Sequence, residues 1–275
     1  MKKIGFIDYY LSEWHANNYP SWIEEVNEKT GDCFKVAYAW GEKEISPVDG
    51  VSSKEWAEKF GVELCQSVEE LCEKSDYILI LAPSDPEVHL RLCKAAFPCG
   101  KRTYVDKTFA PDYQTAKEIF ELGEKYGVKF FSSSALRYAE ELETFVGVKE
   151  ITTTGGGSSL EEYIVHQVEM LVKTLGVGAT RIRATTEEDT VCLQVEYADG
   201  RKGYMRFSPY LPFSVATETE HREVQSYFFK GLIADILRFY NEGTTSFDVA
   251  QTLEVMKIRE GAIKAKNAIS EWIEL

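Results

Sequence analysis

Two patterns in the 275-residue sequence place side chains able to move protons. The first is Tyr104-Val105-Asp106-Lys107-Thr108, in which a lysine directly follows an apolar run. If that run is a strand of a buried parallel sheet, Lys107 is delivered to a cleft at the strand's carboxyl end. Partial loss of water there lowers an ammonium pKa and suits it to proton transfer at a hydroxyl. The same residues also read as a surface lysine paired with Asp106. The second pattern is Glu162-x-x-x-His166-x-x-Glu169, positions i, i+4 and i+7 on one helix face. A carboxylate or carbonyl beside the imidazole fixes its tautomer, and His166 can then shuttle a proton or bind a substrate hydroxyl. A plain helix-surface hydrogen bond, or a two-ligand metal site lacking a third ligand, fits the spacing as well.

The elements that must position these groups follow from periodicity. Ile4 to Asp8, Phe34 to Trp40, Asp76 to Ala82, Arg102 to Val105 and Val128 to Phe131 read as strands, and Val62 to Cys65 as extended. Helices fall between them: Trp14 to Lys29, Ser53 to Phe60, Ser67 to Lys74 with a capping box at Ser67 and Glu70, Pro86 to Phe97, and one from Asp112 to Gly127. Continuous apolar strands alternating with amphipathic helices predict a doubly wound, Rossmann-like parallel sheet over residues 1–134. Over 135–275 the pattern predicts an α+β domain with a mostly antiparallel sheet. Helices are expected at Leu136 to Val146, Ser158 to Leu175, Val224 to Tyr240 and Phe247 to Trp272. Its strands are Val148 to Thr154, Ala179 to Thr185, Thr190 to Tyr197 and Lys202 to Phe207, the last two joined by Asp199-Gly200. With helices on one face, the sheet's other face needs a cover, and a second subunit giving a homodimer or homotetramer is the simplest one.

The balance of 45 acidic against 31 basic residues, a formal charge of −14, argues against nucleic acid or an anionic membrane as partner. The start is too short for a signal peptide, and no apolar run approaches the roughly 20 residues that span a bilayer, so a soluble cytoplasmic protein is expected. The six cysteines form no CxxC and no zinc-ligand spacing with histidine, which favours reduced thiols and no metal. In doubly wound sheets ligands bind at the carboxyl ends of strands, where strand order reverses. That rule places the site among Asp8 to Ser12 (with Tyr10 and Leu11), Trp40 to Glu42, Ala82-Pro83-Ser84 and Asp106 to Thr108. The aromatic residues there, Tyr9, Tyr10, Trp14 and Trp40, either stack on a ligand ring or belong to the core.

Ala82-Pro83-Ser84-x-x-x-x-His89, then Asp106-Lys107-Thr108, Leu136-Arg137-Tyr138, and Gly156-Gly157 before Glu162-x-x-x-His166-x-x-Glu169 occur in an order that resembles the Gfo/Idh/MocA oxidoreductase family. The likeness covers nearly the whole chain. It implies a Rossmann domain holding NAD or NADP, and a second domain supplying a substrate pocket and an oligomer interface. By that similarity Lys107 matches the lysine of the family's Glu-Lys-Pro motif, His166 the histidine of the second domain, and Glu162 the acid one turn before it. The resemblance also brings in His89 on the cofactor side and Arg137 and Tyr138 on the substrate side, the substrate being a sugar or polyol.

The departures are specific. The family's glycine-rich turn falls at Asp8-Tyr9-Tyr10-Leu11-Ser12-Glu13, which has no glycine. Glycines there let a backbone approach a pyrophosphate at a helix N-terminus, and Asp8 and Glu13 oppose both the approach and the charge. One uncompensated carboxylate some 4 Å from a phosphate costs about 1 to 4 kcal/mol. At the tip of the second strand, where an acid binds ribose hydroxyls, the chain has Trp40-Gly41 with Glu42 slightly late. Thr108 replaces the family's proline, which frees the backbone that presents Lys107. The sequence therefore also admits a ligand-binding or regulatory homologue that has lost the dinucleotide, or a cofactor-independent lyase or isomerase using the same pocket.

Overall fold

A computed structural model describes residues 1–275. They form two compact units, one of Met1–Ser132 with Ile233–Ser246 and one of Ser133–Leu232 with Phe247–Leu275. The first unit runs β1 (Lys2–Asp8), α1 (Trp14–Thr30), β2 (Phe34–Gly41), α2 (Ser53–Phe60), β3 (Glu63–Leu64), α3 (Val68–Lys74), β4 (Tyr77–Ile80), α4 (His89–Ala96), β5 (Thr103–Val105), α5 (Tyr113–Tyr126) and β6 (Phe130–Phe131). All of its strand pairs are parallel, in the order β3-β2-β1-β4-β5-β6. Strand order reverses between β1 and β4, so the ends of β1, β4 and β5 border the crevice where such sheets bind ligands.

The apolar runs are strands because both faces of the sheet are covered. Ile4, Phe6, Ile7, Ile78, Leu79, Ile80 and Val105 are all fully buried. Gly5 in the middle of β1 is a packing requirement: a Cβ there would lie 2.4 Å from atoms of Leu71 and Ser75. Helix starts are set by side-chain caps. Ser52 and Glu55 form a reciprocal box on α2, and the Asp112 carboxylate caps α5 through the Thr115 amide at 2.7 Å. At α3 the Ser67 hydroxyl accepts from the Glu70 amide, but the Glu70 carboxylate takes the amide of Gln66 (2.7 Å), so the box expected there is offset by one residue.

The second unit begins with two 3₁₀ turns, Ala135–Tyr138 and Glu140–Phe145, where the pattern predicted one helix; extended backbone at Ala139 separates them. Then follow β7 (Glu150–Gly155), α6 (Leu160–Leu175), β8 (Ala179–Glu187), β9 (Thr190–Tyr197), β10 (Lys202–Phe207), β11 (Ser214–Ala216), β12 (His221–Glu223), α7 (Phe228–Glu242), α8 (Ala250–Lys266) and β13 (Trp272–Glu274). The sheet order is β12-β11-β7-β10-β9-β8-β13, antiparallel except between β7 and β10. Trp272 ends on edge strand β13 rather than on the last helix, its ring lying against the guanidinium groups of Arg181 and Arg183. Residues facing α6 and α8 are apolar (Ile182, Ala184, Leu193, Val195, Met205). The other face is a polar ladder, with Arg181 bonded to Glu196 (2.6 Å) and Arg183 to Gln194 (2.8 Å).

The C-terminal part of α7 belongs to the first unit. Its Tyr240 is fully buried, stacks on Tyr77 with ring centroids 4.6 Å apart, and donates its hydroxyl proton to the carbonyl of Ile78 in β4 (2.6 Å). Tyr240→Phe removes that donor and leaves a buried carbonyl without it, a loss of about 1 to 2 kcal/mol in folding free energy measurable by urea denaturation. An unchanged midpoint would show that water replaces the tyrosine there.

Candidate functional site

At the end of β5, Asp106 is wholly buried. One carboxylate oxygen forms a hydrogen bond with His15 Nδ1; the other accepts from the Lys107 amide (2.8 Å) and the Tyr104 hydroxyl (3.4 Å). His15 stacks on Tyr19 at 5.1 Å, with the Tyr19 hydroxyl 3.2 Å from the same nitrogen. Asp106 is thus engaged by a histidine from α1. The Lys107 ammonium instead donates to the carbonyl of Pro83 (3.2 Å), a contact within the first unit between the ends of β4 and β5.

Two features shape that corner. Ala82 has φ of 71°, a left-handed conformation disfavoured for a residue with a Cβ, and it redirects the chain just before Pro83. The Lys107–Thr108 peptide is cis although Thr108 is not a proline. His89 is fully buried, with Nε2 2.5 Å from the Leu81 carbonyl and Nδ1 3.0 Å from the Phe109 carbonyl. Burial lowers its pKa. Expected on the cofactor side, it joins the end of β4 to the loop after Lys107 and presents no surface to a ligand.

The β1–α1 turn is closed on itself. Glu13, only 7% exposed, is the N-cap of α1 and its carboxylate accepts from the amides of His15 (2.7 Å) and Ala16. Asp8, 1% exposed, accepts from the amide of Tyr9 (2.7 Å). Its second oxygen is buried with no hydrogen-bond partner. Burial, and then the neighbouring Glu13 carboxyl, pushes Asp8 well above the usual carboxylate range; burial pushes Glu13 up to about 7 against the opposing pull of His15 and the helix amides. Of the other residues expected at a dinucleotide, Ser84 is exposed and several more are engaged or buried. The Ser12 hydroxyl donates to Asp49 (2.7 Å), Leu11 is in the core, and Glu42 is held in a forked pair by Arg91 (2.6 and 2.9 Å). Trp40 and Tyr10 are half-buried. Amides that would meet a diphosphate already meet carboxylates of the chain, so the turn as folded does not fit a dinucleotide's diphosphate.

In the second unit, His166 Nδ1 lies 2.7 Å from the Ser134 hydroxyl, and its ring is flanked by Tyr163 and Phe213 at 5.7 Å each. Glu162, expected to orient that histidine, accepts from the Ser158 hydroxyl (2.8 Å), and Ser134 is the orienting group seen at the ring. Glu169 is buried and binds Arg137, the Ser134 amide (3.2 Å) and the Ser133 hydroxyl (3.3 Å). Arg137, expected at the substrate, is itself buried; it also donates to Gln251 (2.8 Å) and stacks on Phe247. That guanidinium serves the core, and Tyr138 beside it is half-buried. No grouping of histidine, cysteine and acidic residues suited to a metal ion occurs. Nor is any helix long and apolar enough to cross a membrane.

Residues 43–134 match the model of the Gfo/Idh/MocA family, described as an oxidoreductase family with an NAD-binding Rossmann fold. The match begins after the β1–α1 turn and β2. An uncharacterized oxidoreductase of Schizosaccharomyces pombe is 27% identical over 100 residues, 36% of this chain and 26% of its own length. The chain thus spans about a quarter of the length of the curated relatives it matches. A myo-inositol 2-dehydrogenase from Lactobacillus plantarum shares the fold at a TM-score of 0.75 and 13% identity, covering 100% of this chain and 99% of that one. A UDP-N-acetylglucosamine 3-dehydrogenase from Acidithiobacillus ferrooxidans does so at 0.75 and 11%, covering 98% and 97%. The resemblance to the Gfo/Idh/MocA oxidoreductases therefore holds, by sequence over the later part of the Rossmann sheet and by fold over the whole chain.

Two outcomes follow from the buried charges. Because Glu13 titrates near 7 in the folded chain against an ordinary 4.5, the folded state keeps a proton that the unfolded state has released. Glu13 therefore lowers stability as pH rises from about 4.5 to 7, and Glu13→Gln should gain on the wild type by up to about 3 kcal/mol between pH 5 and 8 in denaturant titrations. A pH-independent difference would show that the carboxyl is solvated. Arg137→Met strands the buried Glu169 carboxylate and should cost about 3 to 5 kcal/mol, whereas a stable variant would mean that the guanidinium is free for a ligand.

Proposed function

We propose that this protein is an oxidoreductase acting on a hydroxyl of a sugar or polyol, with Lys107 holding or moving the proton of that hydroxyl and NAD or NADP as the redox partner. The observation that carries the proposal is the setting of Lys107. It stands at the end of β5 beside the switch point, its ammonium resting on the Pro83 carbonyl while the adjacent Asp106 carboxylate is occupied by His15. An ammonium hydrogen-bonded to a neutral carbonyl can exchange that partner for a substrate hydroxyl without breaking an ion pair. His166, oriented by Ser134, is a second group able to bind or deprotonate a hydroxyl, and Glu162 and Tyr138 are assigned to the same substrate chemistry. Carbohydrate substrates are favoured by what the two structural neighbours are named for, an inositol and a nucleotide-linked amino sugar. A homodimer or homotetramer formed through the polar face of the second sheet, in the cytoplasm, completes the reading.

The family description supports a nicotinamide dinucleotide. The self-closed β1–α1 turn favours a second reading, a homologue that keeps the fold and the hydroxyl-binding groups and has lost the dinucleotide. Titration of the purified protein with NADH and NADPH, followed by nicotinamide fluorescence, separates the two: saturable binding is expected for the oxidoreductase, and none at millimolar cofactor would rule it out. Where binding is seen, Lys107→Ala should abolish turnover of the best substrate in a panel of sugars and polyols while leaving cofactor affinity within about threefold, and unchanged turnover would remove the role given to Lys107.

A further inference from the structure

We infer that Glu13 is the chain's own occupant of the anion seat at the N-terminus of α1, and that its carboxylate weakens the binding of a phosphate group at that seat. The free amides of a helix's first turn, together with the helix dipole, make a ready site for phosphate. In this chain the amides of His15 and Ala16 are turned onto the Glu13 carboxylate, and the amide of Tyr9 in the preceding turn is turned onto Asp8. Both carboxyls are more than nine-tenths buried, so they do not swing aside as surface caps do.

A diphosphate could reach those amides only by displacing Glu13. It would then meet Asp106 and Asp8 nearby, the second with an oxygen that has no partner. Among the groups bonded to these three acids the one basic side chain is His15, and its Nδ1 is already engaged by Asp106. Lys43 and Arg91 lie over the ring of Tyr9 on the outer side of the turn, Arg91 being paired with Glu42. An ordinary Rossmann turn is complete only with its ligand, but this one is complete without it.

The inference concerns the seat alone; it rests on the proposed function only in choosing NADH and NADPH as probes beside pyrophosphate. The test compares wild type, Glu13→Ser and Glu13→Gln by calorimetric titration with inorganic pyrophosphate, NADH and NADPH at a pH above the value of about 7 where Glu13 gives up its proton. Serine is a good N-cap that is short and uncharged, so α1 stays capped while the seat opens, and the melting temperature of each variant reports folding. Should the serine variant fail to fold, the glutamine variant, which keeps the side chain's length and loses only its charge, carries the comparison. The expected result is weak or absent pyrophosphate binding by wild type and an affinity at least about tenfold higher in Glu13→Ser, with a smaller gain in Glu13→Gln. Equal pyrophosphate affinity in all three proteins, whether high or undetectable, would overturn the inference. A gain for pyrophosphate with no binding of NADH or NADPH to any of the proteins would leave the seat as inferred and remove the dinucleotide from the proposed function.

Discussion

The chemistry of the first unit hangs on the burial of one carboxylate. Asp106 sits at the end of β5 with no exposure, and an ionisable group in that position is stable only when its lone pairs are filled. They are filled by His15 from α1, by the Tyr104 hydroxyl and by the amide of Lys107. The helix after β1 is thereby joined to the strand bearing the lysine, although ninety-one positions separate the two partners in sequence. The same bonds keep the carboxylate from pairing with the Lys107 ammonium, which is left on a carbonyl. His89, fixed between the Leu81 and Phe109 carbonyls, holds the other side of the loop. A neutral imidazole has a single N–H, so it donates to one of these carbonyls at a time.

Against that frame the β1–α1 turn solves a general problem in an unusual way. A helix N-terminus at a switch point must satisfy its first amides, and most Rossmann turns leave that to water and then to a ligand's phosphate. Here Glu13 does it covalently tethered, so no translational entropy is lost on capping and the site is filled at every ligand concentration. The cost appears as buried acid: Asp8 and Glu13 are both held above the ordinary carboxylate range by desolvation. Their protonation relieves mutual repulsion in a pocket that already contains Asp106.

Much of the architecture was legible in the sequence because long apolar runs and 3.6-residue periods are local signals. The parallel sheet, the cap at Asp112, the stop at Gly127 and the hairpin at Asp199-Gly200 all belong to this class. Short strands were not legible, since three residues such as Ser214–Ala216 or Trp272–Glu274 contain no full period. Nor was the segment 233–246, whose membership in the first unit depends on long-range packing of Tyr240 under β4. In the site, the absence of glycine from the turn was plain, and so was the opposition of its two acids to phosphate. What spacing could not give was the direction of those side chains. Glu13 directly precedes the first helical residue and so occupies the N-cap position, but glutamate is not among the preferred caps, and the rule that finds caps passes over it. Arg137 illustrates the converse: the resemblance implied substrate binding, and the fold pairs it with the buried Glu169.

Lys107 is positioned by Asp106, by Pro83 and by the backbone that His89 holds. Its one link to the β1–α1 turn runs through His15, whose amide donates to Glu13 and whose ring engages Asp106. The sequence match begins at residue 43, beyond the closed turn, and runs through Lys107 to residue 134. The part of the sheet that carries the lysine therefore matches the family's model, while the turn outside the match is built around two buried acids.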